Sequence, residues 1–70
     1  MTNTQTHRLW VAHNETGTGV GTIQQDGDVY TVRMLGRDEP AGTYPSMEVA
    51  KNALFSQLKP GSAWPEFREH

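Results

Sequence analysis

The dipeptide Asp26-Gly27 stands between two alternating runs, Val20 to Gln25 and Asp28 to Leu35. No other feature of the chain constrains its fold so closely. A type I′ turn needs φ > 0 at both central residues, and Asp-Gly meets that need at low cost. The pattern predicts a two-residue loop at Asp26-Gly27, with Gln25 opposite Asp28, Ile23 opposite Tyr30 and Gly21 opposite Val32. A side-chain period of two then puts Ile23, Tyr30, Val32 and Met34 on one face. Val20, Thr22, Gln24, Val29, Thr31, Arg33 and Leu35 share the other. The first set is the better core face.

The segments around this hairpin extend the pattern. Arg8 to His13 reads as a first strand of β-branched and aromatic character. Leu9, Val11 and His13 point one way along it, and Arg8, Trp10 and Ala12 the other; the scarcity of large side chains elsewhere favours Trp10 inside. Asn14 to Gly19 and Gly36 to Ala41 read as loops, and Gly42-Thr43-Tyr44 as a short further strand or an extended lead-in. Ser46 is a good N-cap, with Glu48 in the first helical turn facing the positive dipole end. A helix is expected over residues 47–58, with Met47, Ala50, Ala53, Leu54 and Leu58 on one stripe. Lys59 is expected in its last turn, and Pro60-Gly61 ends it. Phe55 lies roughly 100° or more around the helix from that stripe, so Trp64 or Phe67 is expected to fold over it.

The expected fold is α+β: a three-stranded antiparallel meander, with Gly42–Tyr44 a candidate fourth strand, packed against one C-terminal helix. Residues 1–6 are expected to be disordered, 7–61 to form a single β-β-β-α domain, and 62–70 to form an aromatic tail. That tail either folds back on the domain or docks on a partner.

Composition bounds what such a domain can be. Leu, Ile, Val and Phe number 12 of 70 residues, a low share, but the net charge of −2 is too small for a disordered chain. A domain of this size buries only ~60% of its unfolded surface. With no cysteine for a disulfide or thiolate zinc site, oligomerisation or a partner becomes a natural source of stability. No apolar run approaches the ~18 residues of a membrane span, and the polar N-terminal stretch is unlike a signal peptide. The expectation is a cytoplasmic protein with no membrane partner.

Catalytic and cofactor motifs read as structural. Thr16-Gly-Thr-Gly-Val-Gly21 has G-x-G-x-G spacing and leads into a strand, whereas a dinucleotide loop needs G-x-G-x-x-G leading into a helix. His7 and His13 are about 20 Å apart along an extended strand, too far to share one ion. Asp26/Asp28 flank a turn, Asp38/Glu39 lie in a loop, and no nucleophile elbow is present. A chain this short has little volume for a 300 Å³-class pocket. No enzymatic activity, no cofactor and no metal site is expected.

Tyr30-Thr-Val-Arg33 together with Gly42-Thr-Tyr-Pro-Ser-Met-Glu-Val-Ala50 resembles a recurring pattern of small β-β-β-α domains, such as the arm-binding domains of phage-type integrases and AP2-like domains. The resemblance covers about 30 of the 70 residues and implies DNA read by the sheet face through several basic strand residues. This chain offers Arg33 and Arg8 there, with Thr22, Gln24 and Thr31 at other positions.

The functional expectation is a small non-catalytic accessory module that binds a protein, or a second copy of itself, through its sheet face or its aromatic tail. An accessory protein of a phage or plasmid would suit that description. The residues expected at the interface are Arg8, Trp10, Thr22, Thr31, Arg33, Phe55, Trp64 and Phe67, because aromatics and Arg concentrate at interface centres. The alternative is a DNA-binding domain using Arg8 and Arg33 on the sheet face. The net charge disfavours it, since phosphate affinity comes from Lys and Arg.

Overall fold

A computed structural model describes residues 7–70; the segment expected to be disordered, 1–6, lies outside them. Five strands and one helix follow in the order β1 (His7–His13), β2 (Gly19–Asp26), β3 (Val29–Met34), β4 (Gly42–Tyr44), α1 (Met47–Ser56) and β5 (Glu66–Glu69). The strands form one sheet in the order β4-β3-β2-β1-β5, with every neighbouring pair antiparallel. The chain therefore meanders from β1 to β4, crosses the sheet through α1, and adds β5 beside β1. The α+β class stands, with a sheet of five strands.

The central hairpin differs from expectation by one step. Asp26 pairs with Val29, Gln25 with Tyr30, Ile23 with Val32 and Gly21 with Met34. The loop is thus Gly27-Asp28, and only Gly27 has positive φ (+66°). Glycine at the first central position suits a type II′ turn, whereas type I′ would also need φ > 0 at the second, here Asp28. Moving the turn by one residue changes each cross-strand partner by two positions, and two is the side-chain period. The face assignment of Ile23, Tyr30, Val32 and Met34 survives for that reason.

The core is small and lies on one side. Ala12, Ile23, Val32, Met34, Ala50 and Leu54 are buried, with Trp10, Val20, Tyr30, Tyr44, Met47, Leu58 and Phe67 packed around them. α1 presents Ala50 and Leu54 to the sheet and packs over β2, β3 and β4. Close approach is possible because position 21 carries no side chain. A Cβ on Gly21 would stand 2.8 Å from the Arg33 carbonyl oxygen and 3.2 Å from a Leu54 methyl. Ser46 caps the helix, its hydroxyl accepting from the Val49 N–H. At the other end the Gln57 N–H donates to the Leu54 carbonyl and the Leu58 N–H to the Phe55 carbonyl, closing the helix at Ser56. Lys59 consequently lies beyond the last turn, not in it.

Two further positions, Val20 and the C-terminal segment, depart from the sequence reading. Val20 packs on the core rather than on the opposite face. The β1–β2 register shifts between Ala12 and His13, so Val20 is the unpaired residue of a bulge and turns towards Leu58. The glycine-rich loop before it is organised by Asn14. Its Oδ1 accepts from the backbone N–H groups of Thr16 and Thr18, 3.0 Å each, and from the Thr16 hydroxyl at 2.7 Å. Finally, Glu66–Glu69 of the expected tail is the edge strand β5, with Trp10 opposite Glu69 and Ala12 opposite Phe67.

Candidate interaction surface

Directly paired residues share a face, so the registers sort every strand side chain. Trp10, Ala12, Ile23, Tyr30, Val32, Tyr44 and Phe67 fall on the side of α1. Leu9, Val11, Thr22, Gln24, Val29, Thr31, Arg33, Thr43, Glu66 and Arg68 fall on the other. Leu35, just past β3, joins them, since the Cβ direction of Gly19 leads to both Leu35 and Val11. No element among the described residues covers this second face.

The open face is mixed in chemistry. Leu9, Val29 and Leu35 are exposed large apolar side chains, Leu35 at 59%. Between them run threonines: Thr22 stands opposite Arg33, and the hydroxyls of Thr31 and Thr43 lie 3.4 Å apart. Two arginines and two carboxylates, Arg33, Arg68, Asp26 and Glu66, complete it, and Arg68 pairs with Glu66 at 2.9 Å. That pair is well solvated and holds little energy, so its charges are free to take other partners. At the end of the face the His13 Nδ1 is buried with no hydrogen-bond partner among the described residues.

The eight residues expected at an interface fall into three groups. Thr22, Thr31 and Arg33 do share the open face. Phe55, Trp64 and Phe67 come together on the opposite side, beside α1. Trp64 is 4.9 Å from Phe55 and 6.4 Å from Phe67 between ring centroids, and Lys51 Nζ lies 5.4 Å from the Phe67 ring. Trp64 thus covers Phe55, as the helical geometry required. Arg8 and Trp10 form the third group. Trp10 is half-buried with its ring 6.2 Å from that of Tyr30, and Arg8 pairs with Glu69 at 3.5 Å. Arg8 and Arg33 therefore lie on opposite faces and do not form a common basic patch. The cause is Ala12, whose burial under the core fixes the direction of every second side chain of β1.

Turning Trp10 inside already puts Leu9 on the open side, though not among the interface residues; sequence reasoning missed Thr43, Glu66 and Arg68 as members of the open face. For Glu66 and Arg68 the signal is weak, because a four-residue strand with one aromatic among charges has almost no periodicity to detect. The expectation of little pocket volume also needs correction. A cleft of about 590 Å³ opens between the Asn14–Thr16 loop and the segment after α1, with Val20 and Leu58 among its lining and Glu15 and Lys59 beside them. No group of three or more His, Asp or Glu side chains among the described residues is placed to hold a metal ion, and no helix among them is long and apolar enough to cross a membrane.

No protein-family model matches the chain, and neither a curated protein nor a solved structure was found to match it.

Proposed function

We propose that this protein is a non-catalytic binding module that receives a protein partner on its open sheet face. The observation that carries the reading is the uncovered second side of the sheet, where Leu9, Val11, Val29 and Leu35 are interleaved with Thr22, Thr31, Thr43, Arg33 and Arg68. A sheet face that met only water would be expected to alternate cleanly to polar residues. Apolar groups framed by hydroxyls and arginines suit a protein surface, where aromatic and Arg anchors and a polar rim divide the work. The five strands offer a footprint of roughly 450 Å² at ordinary strand spacing and rise. That is about half of the ~800 Å² each partner buries in a standard interface, so one copy binds weakly and reversibly.

DNA is the competing ligand for the same face. It draws support from Arg33 and Arg68, which share the face, and loses Arg8, which does not. Asp26 and Glu66 on that side reduce its positive potential.

The test places a photoreactive amino acid at Thr31 on the open face and, as a control, at exposed Asn52 on α1. Illumination in cells of the source organism should give one discrete heterologous adduct from position 31 and none from position 52. Equal labelling from both positions would remove the face as the binding site. Fluorescence anisotropy with duplex and single-stranded oligonucleotides at about 50 mM salt separates the two ligands, because phosphate binding is strongest at low salt. The protein reading expects no binding there.

A further inference from the structure

We infer that β5 is a self-pairing edge, through which two copies of this chain join into one continuous sheet. Among the described residues β5 is paired on one side only, with β1. The His70 N–H donates to the Leu9 carbonyl at 2.7 Å, and Trp10 stands opposite Glu69. Backbone groups alternate sides along an antiparallel strand. Glu66 and Arg68 therefore turn their N–H and C=O towards β1, and Phe67 and Glu69 turn theirs outward. An outward row of this kind is a template for another strand.

Two copies related by a two-fold axis must set outward residues opposite outward residues. Phe67 can then stand opposite Pro65, Phe67 or Glu69 of the second copy. The first register puts Glu66 opposite Glu66, and the third puts Arg68 opposite Arg68; like charges directly opposite are destabilising. The middle register puts Glu66 opposite Arg68 and Arg68 opposite Glu66, with the two Phe67 residues exchanging both backbone hydrogen bonds at the axis. The charges thus favour one register and oppose its neighbours, which is how edges gain specificity. The Glu66–Arg68 pair within one copy is solvent-exposed and holds little energy, so exchanging it across the axis costs little.

Packing on the other side agrees. α1 lies over β2, β3 and β4, leaving β1 and β5 outside its cover. Phe67 and Trp64 occupy that margin, and Trp64 is 52% exposed. A second copy at the axis would bring its own Phe67 against this group and shield it. The opposite edge, β4, has three residues and runs directly into Pro45, so pairing closes at two copies rather than propagating. Pairing would also double the open face to roughly 900 Å², the size of a standard interface side; this consequence alone rests on the function proposed above.

Sedimentation velocity on the full chain, from ~1 µM to ~1 mM, tests the pairing with three samples. The unaltered protein should shift from monomer to dimer. Glu66→Arg and Arg68→Glu should each weaken the dimer at least about tenfold, because each turns both cross-axis pairs into repulsions. An equimolar mixture of these two variants should recover the dimer. One copy then carries arginine at both positions and the other carries glutamate at both, so each cross-axis pair is again attractive. Recovery also shows that both variants are folded. A monomer at every concentration of the unaltered protein would overturn the inference. So would variants that dimerise as well as the parent, or a mixture that stays monomeric.

Discussion

The two faces of this sheet are built from the same strands and do opposite work. On one side Ile23, Val32 and Leu54 are fully buried, and the spacing between sheet and helix is set by Gly21 and Ala50. On the other side Leu9, Val29 and Leu35 remain exposed, with no helix of the described residues over them. The covered face shows how a chain with few large apolar residues still makes a core. Small residues bring the elements close, so that few methylenes suffice to fill the space. The open face shows the consequence of that economy: with one helix among the described residues, half of the sheet is left for something else to meet.

Mutations can break or sharpen this contrast. The largest effect is expected at Leu54, fully buried between α1 and the sheet. Leu54→Ala should cost about 2–5 kcal/mol, enough to unfold much of so small a domain at equilibrium; urea denaturation followed by tryptophan fluorescence reads it. A melt close to the parent's would mean the helix is not packed as described. Gly21→Ala should cost about 1–3 kcal/mol, since its new methyl meets the Arg33 carbonyl at 2.8 Å, and backbone yields less readily than a side chain.

A smaller loss, about 1–2 kcal/mol, is expected for Trp64→Ala, which removes the ring contacts with Phe55 and Phe67. Thermal unfolding checks it. An unchanged midpoint would return residues 62–65 to the role of a docking segment. The smallest effect belongs to the open face. Leu35→Ala should stay within about 0.5 kcal/mol of the parent, and a loss as large as that of Leu54→Ala would erase the contrast between the two faces.

Much of the covered side is legible from residues alone. The Asp-Gly turn region, the alternation of β2 and β3, the Ser46 cap and the Ala50/Leu54 stripe are each local signals strong enough to survive tertiary packing. Sequence alone misplaces the hairpin register because Asp26-Gly27 and Gly27-Asp28 both satisfy a two-residue turn, and the chain takes the one that needs a single positive φ. It misassigns Val20 because a bulge adds one residue to one strand and leaves no mark in the alternation. β5 escapes because Glu66–Glu69 pairs with β1, more than fifty positions earlier in the chain. A contact of that range is set by where α1 returns the backbone and not by the four residues themselves. The candidate site inherits these gaps. Thr22, Thr31 and Arg33 follow from the hairpin, whereas Arg68 and Glu66 need β5, and Leu9 needs the direction of β1 that Ala12 decides.

The division of labour between the faces is tested most directly by the yield of the Thr31 photo-adduct in a Leu35→Lys background. This substitution adds a charge to the open face while leaving the core on the other side untouched. The account predicts that the adduct disappears and that the protein still unfolds at the denaturant concentration of the parent. An adduct of undiminished yield would contradict it, and would place the partner of this protein on another surface.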